Sequence, residues 1–207
     1  TQLSGTAAVV TGAASGIGLA TAERLAEEGV RVLLADKDEG GLDAAVGRLR
    51  AAGAQAYGCP VDVSQFASVE ALAAEADRQL GPVDILVNNA GVVASGRAWE
   101  LPLAEWQRVI GVDLWGVVHG VLAFVPRMVQ AGRPGHVVNV GSMASVLPHP
   151  RLGPYVAAKH AVLGLSDSLR GDLAAVGAPI GVTVVMPGQV RTAMTGGTGA
   201  EPRTVAD

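Results

Sequence analysis

Short apolar runs rich in Val, Ile and Leu alternate along the chain with longer Ala-rich stretches whose apolar positions recur at helical period. Strands are read at residues 7–11, 30–35, 55–58, 85–88, 136–140 and 181–186, with helices filling the gaps. Each strand is a nearly continuous apolar run rather than an in/out alternation, as a parallel strand covered on both faces requires. Repeated βα units of this kind predict an α/β fold, with one doubly wound parallel sheet in a three-layer αβα sandwich. No internal repeat, low-complexity tract or interdomain linker breaks the pattern, so a single domain is placed over residues 1–207.

Two helices depart from the simple pattern. Residues 104–130 carry apolar side chains on nearly every face, and residues 155–175 are similarly apolar. A helix lying on one side of a sheet needs a single apolar stripe, so these two are expected to pack against a second subunit as well.

Composition narrows the function classes. With 49% apolar and 16% charged residues the chain is too hydrophobic to be disordered, and no run approaches roughly 18 uninterrupted apolar residues. A net charge of −4 without any Lys/Arg cluster argues against a nucleic-acid or anionic-membrane partner. The first residues lack a basic flank and cleavage site, and the lone Cys59 forms no internal disulfide, so the expected compartment is the cytoplasm. No His, Asp and Glu residues fall at metal-ligand spacing, and no catalytic metal is expected. His119 and His160, on apolar helices, read as packed or interface residues rather than ligands.

The loop after the first strand reads Thr11-Gly12-Ala13-Ala14-Ser15-Gly16-Ile17-Gly18 and opens directly into an amphipathic helix. Gly12 permits the tight turn, Gly16 lets backbone approach a phosphate, and Gly18 lets helix and strand pack closely. Free N–H groups at a helix start then face a pyrophosphate, which makes a dinucleotide the expected ligand. Asp36 ends the second strand at the spacing where a carboxylate accepts hydrogen bonds from the adenosine ribose and repels a 2′-phosphate, which favours NAD over NADP, with the adjacent Lys37 as the opposing feature.

Tyr155 and Lys159, four residues apart, share one helix face. A free phenol is too weak an acid to work near neutrality, but a neighbouring cation favours the phenolate, so Lys159 is expected to lower the Tyr155 pKa and to hold the ribose hydroxyls. Ser142, just past the fifth strand, lies at the carboxyl edge of the sheet, where open α/β folds bind ligands.

With these residues assembled, the chain resembles the short-chain dehydrogenase/reductase family from about residue 7 to residue 192. The resemblance implies a Rossmann-type sheet in the order 3-2-1-4-5-6, NAD lying across its carboxyl edge, and assembly through the two apolar helices as a homodimer or homotetramer. The cofactor loop falls on Gly12, Ser15, Gly16, Ile17 and Gly18, the adenine-contacting pair on Asp62 and Val63, and the strand-four signature on Asn88, Asn89, Ala90 and Gly91. The catalytic Ser and Tyr-x-x-x-Lys fall on Ser142, Tyr155 and Lys159, and a nicotinamide-contacting segment on Pro187, Gly188, Val190 and Thr192. Asn88 itself is expected to hydrogen-bond across the sheet centre, with Asn89, Ala90 and Gly91 nearer the cofactor.

Two departures qualify the resemblance. Asp113 stands where the family has a catalytic Asn that holds a water linking the lysine to solvent, and it is expected to keep that relay role. Only 19 residues follow Gly188, fewer than a substrate lid and seventh strand need, which implies an incomplete chain or a differently covered sheet edge. The expected activity is NAD(H)-dependent interconversion of a secondary alcohol and a carbonyl compound. The alternatives are a noncatalytic dinucleotide-binding sensor, for which the intact Ser142, Tyr155 and Lys159 have no use, and an epimerase or dehydratase on the same scaffold.

Overall fold

The apolar runs become strands because burial on both faces satisfies β-branched side chains, and the ladder satisfies their backbone. In the computed structural model, which describes residues 3–147, 149–188 and 190, the strands are β1 (Ala7–Thr11), β2 (Arg31–Asp36), β3 (Ala56–Pro60), β4 (Ile85–Asn88), β5 (Gly135–Val140) and β6 (Ile180–Val185). All neighbours pair in parallel, in the order β3-β2-β1-β4-β5-β6. The chain winds outward from β1 to β3, returns to β4 and winds out the other way. The switch point therefore lies between β1 and β4.

Helices α1 (Gly16–Glu27), α2 (Glu39–Ala51), α3 (Phe66–Leu80), α4 (Leu103–Ile110), α5 (Gly116–Ala131) and α6 (Gly153–Ala175) form the outer layers. Alternate residues of β1 and β2 feed two separate cores. Ala7, Val9 and Leu33 meet Leu72, Phe124 and Leu169 from α3, α5 and α6, whereas Ala8, Val10 and Leu34 meet Ala22 and Leu42 from α1 and α2. This is the three-layer αβα sandwich expected from the sequence pattern.

The elements differ from the sequence reading in informative places. The long apolar helix is two α-helices joined by one π-helical turn, Gly111–Trp115. The stretch Leu103–Ala131 is long and apolar enough to cross a membrane by those two measures, but it lies on the sheet layer with α3 and α6 as neighbours. Its outer face leaves Trp115, Leu122 and Val129 exposed, seven residues apart in a straight stripe. On α6, the other helix expected to meet a second subunit, no large apolar side chain is comparably exposed.

A buried amide chain fixes the sheet centre to α6. Asn88 Nδ2 donates to Asn139 Oδ1 at 2.9 Å, Asn139 Nδ2 donates to Ser166 Oγ at 2.9 Å, and the Ser166 hydroxyl donates to Val162 O at 2.6 Å. Asn88 thus does the cross-sheet work expected of it. Replacing Asn139 with Leu strands the Asn88 amide in a site without water, which is expected to cost about 2–4 kcal/mol and lower the melting temperature by roughly 5–15 °C in a thermal unfolding scan.

Candidate active site

A cavity of about 520 Å³ opens at the carboxyl edge of the sheet, across the switch point. Its lining runs from Asp36, Lys37, Asp62 and Val63 beside β2 and β3, past Gly12, Ser15, Gly16 and Ile17, to Ser142, Tyr155, Lys159, Pro187, Gly188 and Val190 beside β5 and β6. At roughly 4.8 Å per strand spacing, β2 to β5 alone covers about 14 Å, so the cleft is elongated across the sheet, as a dinucleotide requires. Asn89, Ala90 and Gly91 line its middle.

The glycines act at the joint between β1, α1 and the loop after β4. Gly12 takes φ +65° and Gly16 φ +57°, conformations that side chains resist. A Cβ on Gly12 would sit 2.7 Å from the Ala90 Cα, and one on Gly18 would sit 2.2 Å from Gly12 O and 2.4 Å from Asn89 Nδ2. Gly18 does not line the cavity; it is the contact that lets α1 start against the turn beneath it. Asn89 Nδ2 donates to Thr11 O (2.8 Å) and Gly12 O (3.1 Å), locking the two loops together. Ser15 takes the N-cap position of α1 without capping it through its side chain, so the hydroxyl stays on the cavity side of the helix start. The cradle of bare backbone and helix start fits a pyrophosphate.

Asp36 does more than line the cleft. Its Oδ2 accepts from Ala14 N–H at 3.0 Å and its Oδ1 from Asp38 N–H at 3.1 Å, so the carboxylate ties the glycine loop to the end of β2. Its acceptors are fixed in place at the edge where a ribose would lie.

At the other end, Ser142 begins a 3-10 turn (Met143–Ser145) directly after β5 and accepts from Ala144 N–H, while its own N–H donates to Ser145 Oγ. Tyr155 and Lys159 come from the first turns of α6, with the Lys159 Nζ 5.6 Å from the centre of the Tyr155 ring. Lys159 is 3% exposed; its Nζ donates to Val140 O at 2.8 Å and lies 3.5 Å from Asp113 Oδ2. Asp113, carried by the π turn, is fully buried, with Oδ1 accepting from Val92 N–H at 2.8 Å and Oδ2 making no hydrogen bond among the described residues.

The electrostatics differ from the expectation for Tyr155. Burial pushes the phenol above its ordinary range; the Ser142 hydroxyl, hydrogen-bonded to it, draws it down, and the Asp113 charge pushes it up again. The expected lowering by Lys159 is not among the influences on the phenol; the ammonium donates to the Val140 carbonyl and lies beside the Asp113 carboxyl. Burial likewise raises Asp113 above the usual carboxylate range, against the pull of Lys159, the Val92 N–H and Arg108.

Of the site residues expected from the sequence, all but Gly18, Asp113 and Thr192 line this cleft; Gly18 and Asp113 are not part of its lining, and Thr192 lies outside the described residues. The sequence reading missed Val112 and Arg108, which line the wall from α4 and the π turn, and missed the loop-tying role of Asp36. Arg108 had a signal: it lies one helical turn before Val112 on a face shared with the cleft.

Protonation of Asp113 favours the folded state, because its folded pKa lies above the unfolded one. That contribution is complete below the ordinary carboxylate range and is lost as pH rises through the raised folded pKa. Lys159→Met removes a group that pulls this pKa down and leaves a buried carboxylate unpaired. It is expected to cost about 3–5 kcal/mol at neutral pH, with the deficit shrinking as pH falls and the carboxyl becomes protonated. Thermal unfolding across pH checks this, and adding Asp113→Asn to Lys159→Met is expected to remove the pH dependence of the deficit.

The sequence profile of the short chain dehydrogenase family matches residues 6–203. The chain is 44% identical over 192 residues to the 1-deoxy-11-beta-hydroxypentalenate dehydrogenase of Streptomyces avermitilis, covering 92% of this chain and 70% of that one. It is 41% identical over 190 residues to the probable oxidoreductase EphD of Mycobacterium tuberculosis, covering 92% of this chain but only 32% of that one. Among solved structures, a short chain dehydrogenase/reductase from Burkholderia phymatum in complex with NAD superposes with a TM-score of 0.93 at 42% identity, covering 100% of this chain and 75% of that chain. An actinorhodin polyketide ketoreductase with NADPH superposes with a TM-score of 0.88 at 39% identity, over 94% of this chain and 74% of that one. The glycine cradle, the Ser-Tyr-Lys grouping and these likenesses lead to one conclusion: the chain belongs to the short-chain dehydrogenase/reductase family of oxidoreductases.

Proposed function

We propose that this chain interconverts a secondary alcohol and a carbonyl compound, with NAD(H) as the hydride partner. The observation that carries the reading is the meeting of Tyr155, Ser142 and Lys159 in one cavity with a glycine cradle and an acidic strand end. Bound there, a nicotinamide supplies a hydride donor or acceptor. Ser142 holds the reacting oxygen by hydrogen bond. Tyr155 gives its proton to a carbonyl oxygen in reduction and takes one from the alcohol in oxidation. Lys159 holds the ribose hydroxyls, and Asp113, beside it, keeps the relay role by which the lysine exchanges protons with solvent. Pro187, Gly188, Val190 and Thr192 belong to the segment that meets the nicotinamide.

The preference for NAD rests on Asp36, whose tethered carboxylate accepts hydrogen bonds from a ribose and repels a 2′-phosphate. The Burkholderia relative holds NAD and the ketoreductase holds NADPH, so the choice is made by residues of this kind rather than by the fold. Met143, Val146 and Leu147, exposed beside Ser142, favour a largely apolar alcohol. A second copy of the chain is the partner proposed for the stripe of Trp115, Leu122 and Val129, because apolar residues at sevenfold spacing suit helix-on-helix packing.

An alcohol and ketone panel followed by nicotinamide absorbance tests the chemistry. Turnover is expected with NAD at least about tenfold better than with NADP. Tyr155→Phe is expected to abolish it while sparing cofactor binding, and wild-type turnover in that variant overturns the mechanism. Because the phenol is raised, oxidation is expected to quicken as pH rises and reduction to slow, and Asp113→Asn, by deleting a charge that raises Tyr155, is expected to move both limbs to lower pH. For self-association, sedimentation velocity is expected to give a dimer or tetramer that Leu122→Glu dissociates.

A further inference from the structure

The segment between β3 and α3 carries Asp62 and Val63 into the cavity beside Asp36. An acidic residue at the end of β2 marks the adenosine end of such a cleft, so Val63, one strand further out, belongs to that end. Asp62 is braced from within its own segment: its Oδ1 accepts from Ser64 N–H and Ser64 Oγ, and its N–H donates to Ser68 Oγ. Val63 is braced from outside. The Nδ1 of His119, on α5, lies 2.8 Å from Val63 O, and since a carbonyl only accepts, the histidine carries its proton on Nδ1. Three residues earlier, Gly116 lets the α5 backbone close on the same residue, where a Cβ would meet Val63 Cγ2 at 2.9 Å. The His119 ring is 9% exposed and lies between Phe66 and Trp115, with ring centres 5.6 and 5.7 Å away, which sets its plane.

We propose that His119 is a positioning residue for the nucleotide, holding Val63 through its carbonyl so that the adenosine end of the cleft keeps its shape. This rests on the reading that the cleft takes a dinucleotide. Nothing in the hydride or proton chemistry needs His119, which does not line the cleft. A leucine side chain would fill the same gap between Phe66 and Trp115 without fixing the carbonyl. The effect is therefore confined to one half of the cofactor: adenosine affinity depends on His119, and the nicotinamide end does not.

The test is calorimetric binding of ADP-ribose and of nicotinamide mononucleotide to the intact chain, together with steady-state kinetics in NAD. His119→Leu is expected to weaken ADP-ribose about tenfold and raise the NAD KM by a similar factor, with kcat within about twofold and mononucleotide binding unchanged. His119→Asn, whose amide N–H reaches the place of Nδ1, is expected to recover most of the loss, which a purely space-filling role would not produce. ADP-ribose affinity within about twofold of wild type in His119→Leu, or an equal loss for both half-ligands, overturns the proposal. Should His119→Leu fail to fold, Gly116→Ala decides it: its methyl pushes the Val63 side chain away from the α5 face that His119 holds it to, and the same selective KM rise supports the proposal, whereas unchanged ADP-ribose binding refutes it. Wild-type protein that binds neither ADP-ribose nor NAD overturns the nucleotide reading itself and the proposal with it; wild-type binding beside unaltered variants overturns the proposal alone.

Discussion

A cation buried to 3% exposure organises the reactive end of the cleft. Lys159 Nζ is satisfied by the Val140 carbonyl and accompanied by the Asp113 carboxyl, and a buried ammonium without such company would cost several kcal/mol. Those two partners come from the end of β5 and from the π turn between α4 and α5. The lysine is therefore content only when both have arrived and α6 has docked. Asp113 extends the demand further, because its other oxygen accepts from Val92 and so fixes the chain just after Gly91. One charge thereby ties four segments of the sheet's carboxyl edge into a single arrangement.

Much of this was legible in the sequence because it depends on residue type at fixed spacing. The Val-rich runs gave up the strands, the three glycines the cradle, and the Tyr-x-x-x-Lys spacing the shared helix face. Boundaries were read less well. β3 runs on to Pro60, since a proline without an N–H is tolerated at the end of an edge strand, and a pattern of apolar residues does not register that. What escaped altogether depends on backbone partners. No spacing rule says how far burial will raise the Tyr155 phenol, and none says that Lys159 will donate to the Val140 carbonyl or that Asp36 will reach back to Ala14.

The two ends of the cleft are held by different physics. At the glycine loop the constraint is steric: Gly18 against Gly12 O, and Gly12 against the Ala90 backbone, leave no room for a methyl group. At Asp36 it is electrostatic, and the same carboxylate that is proposed to discriminate between riboses also anchors the loop. Cofactor preference and loop geometry are consequently not separable by changing that residue alone, which is why redesign of one will disturb the other.

The π turn at Gly111–Trp115 has a bearing on how the long helix is to be understood. A wide turn holds one residue more than an ordinary one, which rotates everything downstream by about 100° relative to everything upstream. Trp106 and Val109 are thus out of phase with Ala123 and Phe124, and a helical wheel drawn through both halves smears two distinct stripes into one all-round apolar surface. That offset is what allows a single stretch of chain to turn one flank toward the cleft above the wide turn and another toward the sheet below it, with an acid at the joint.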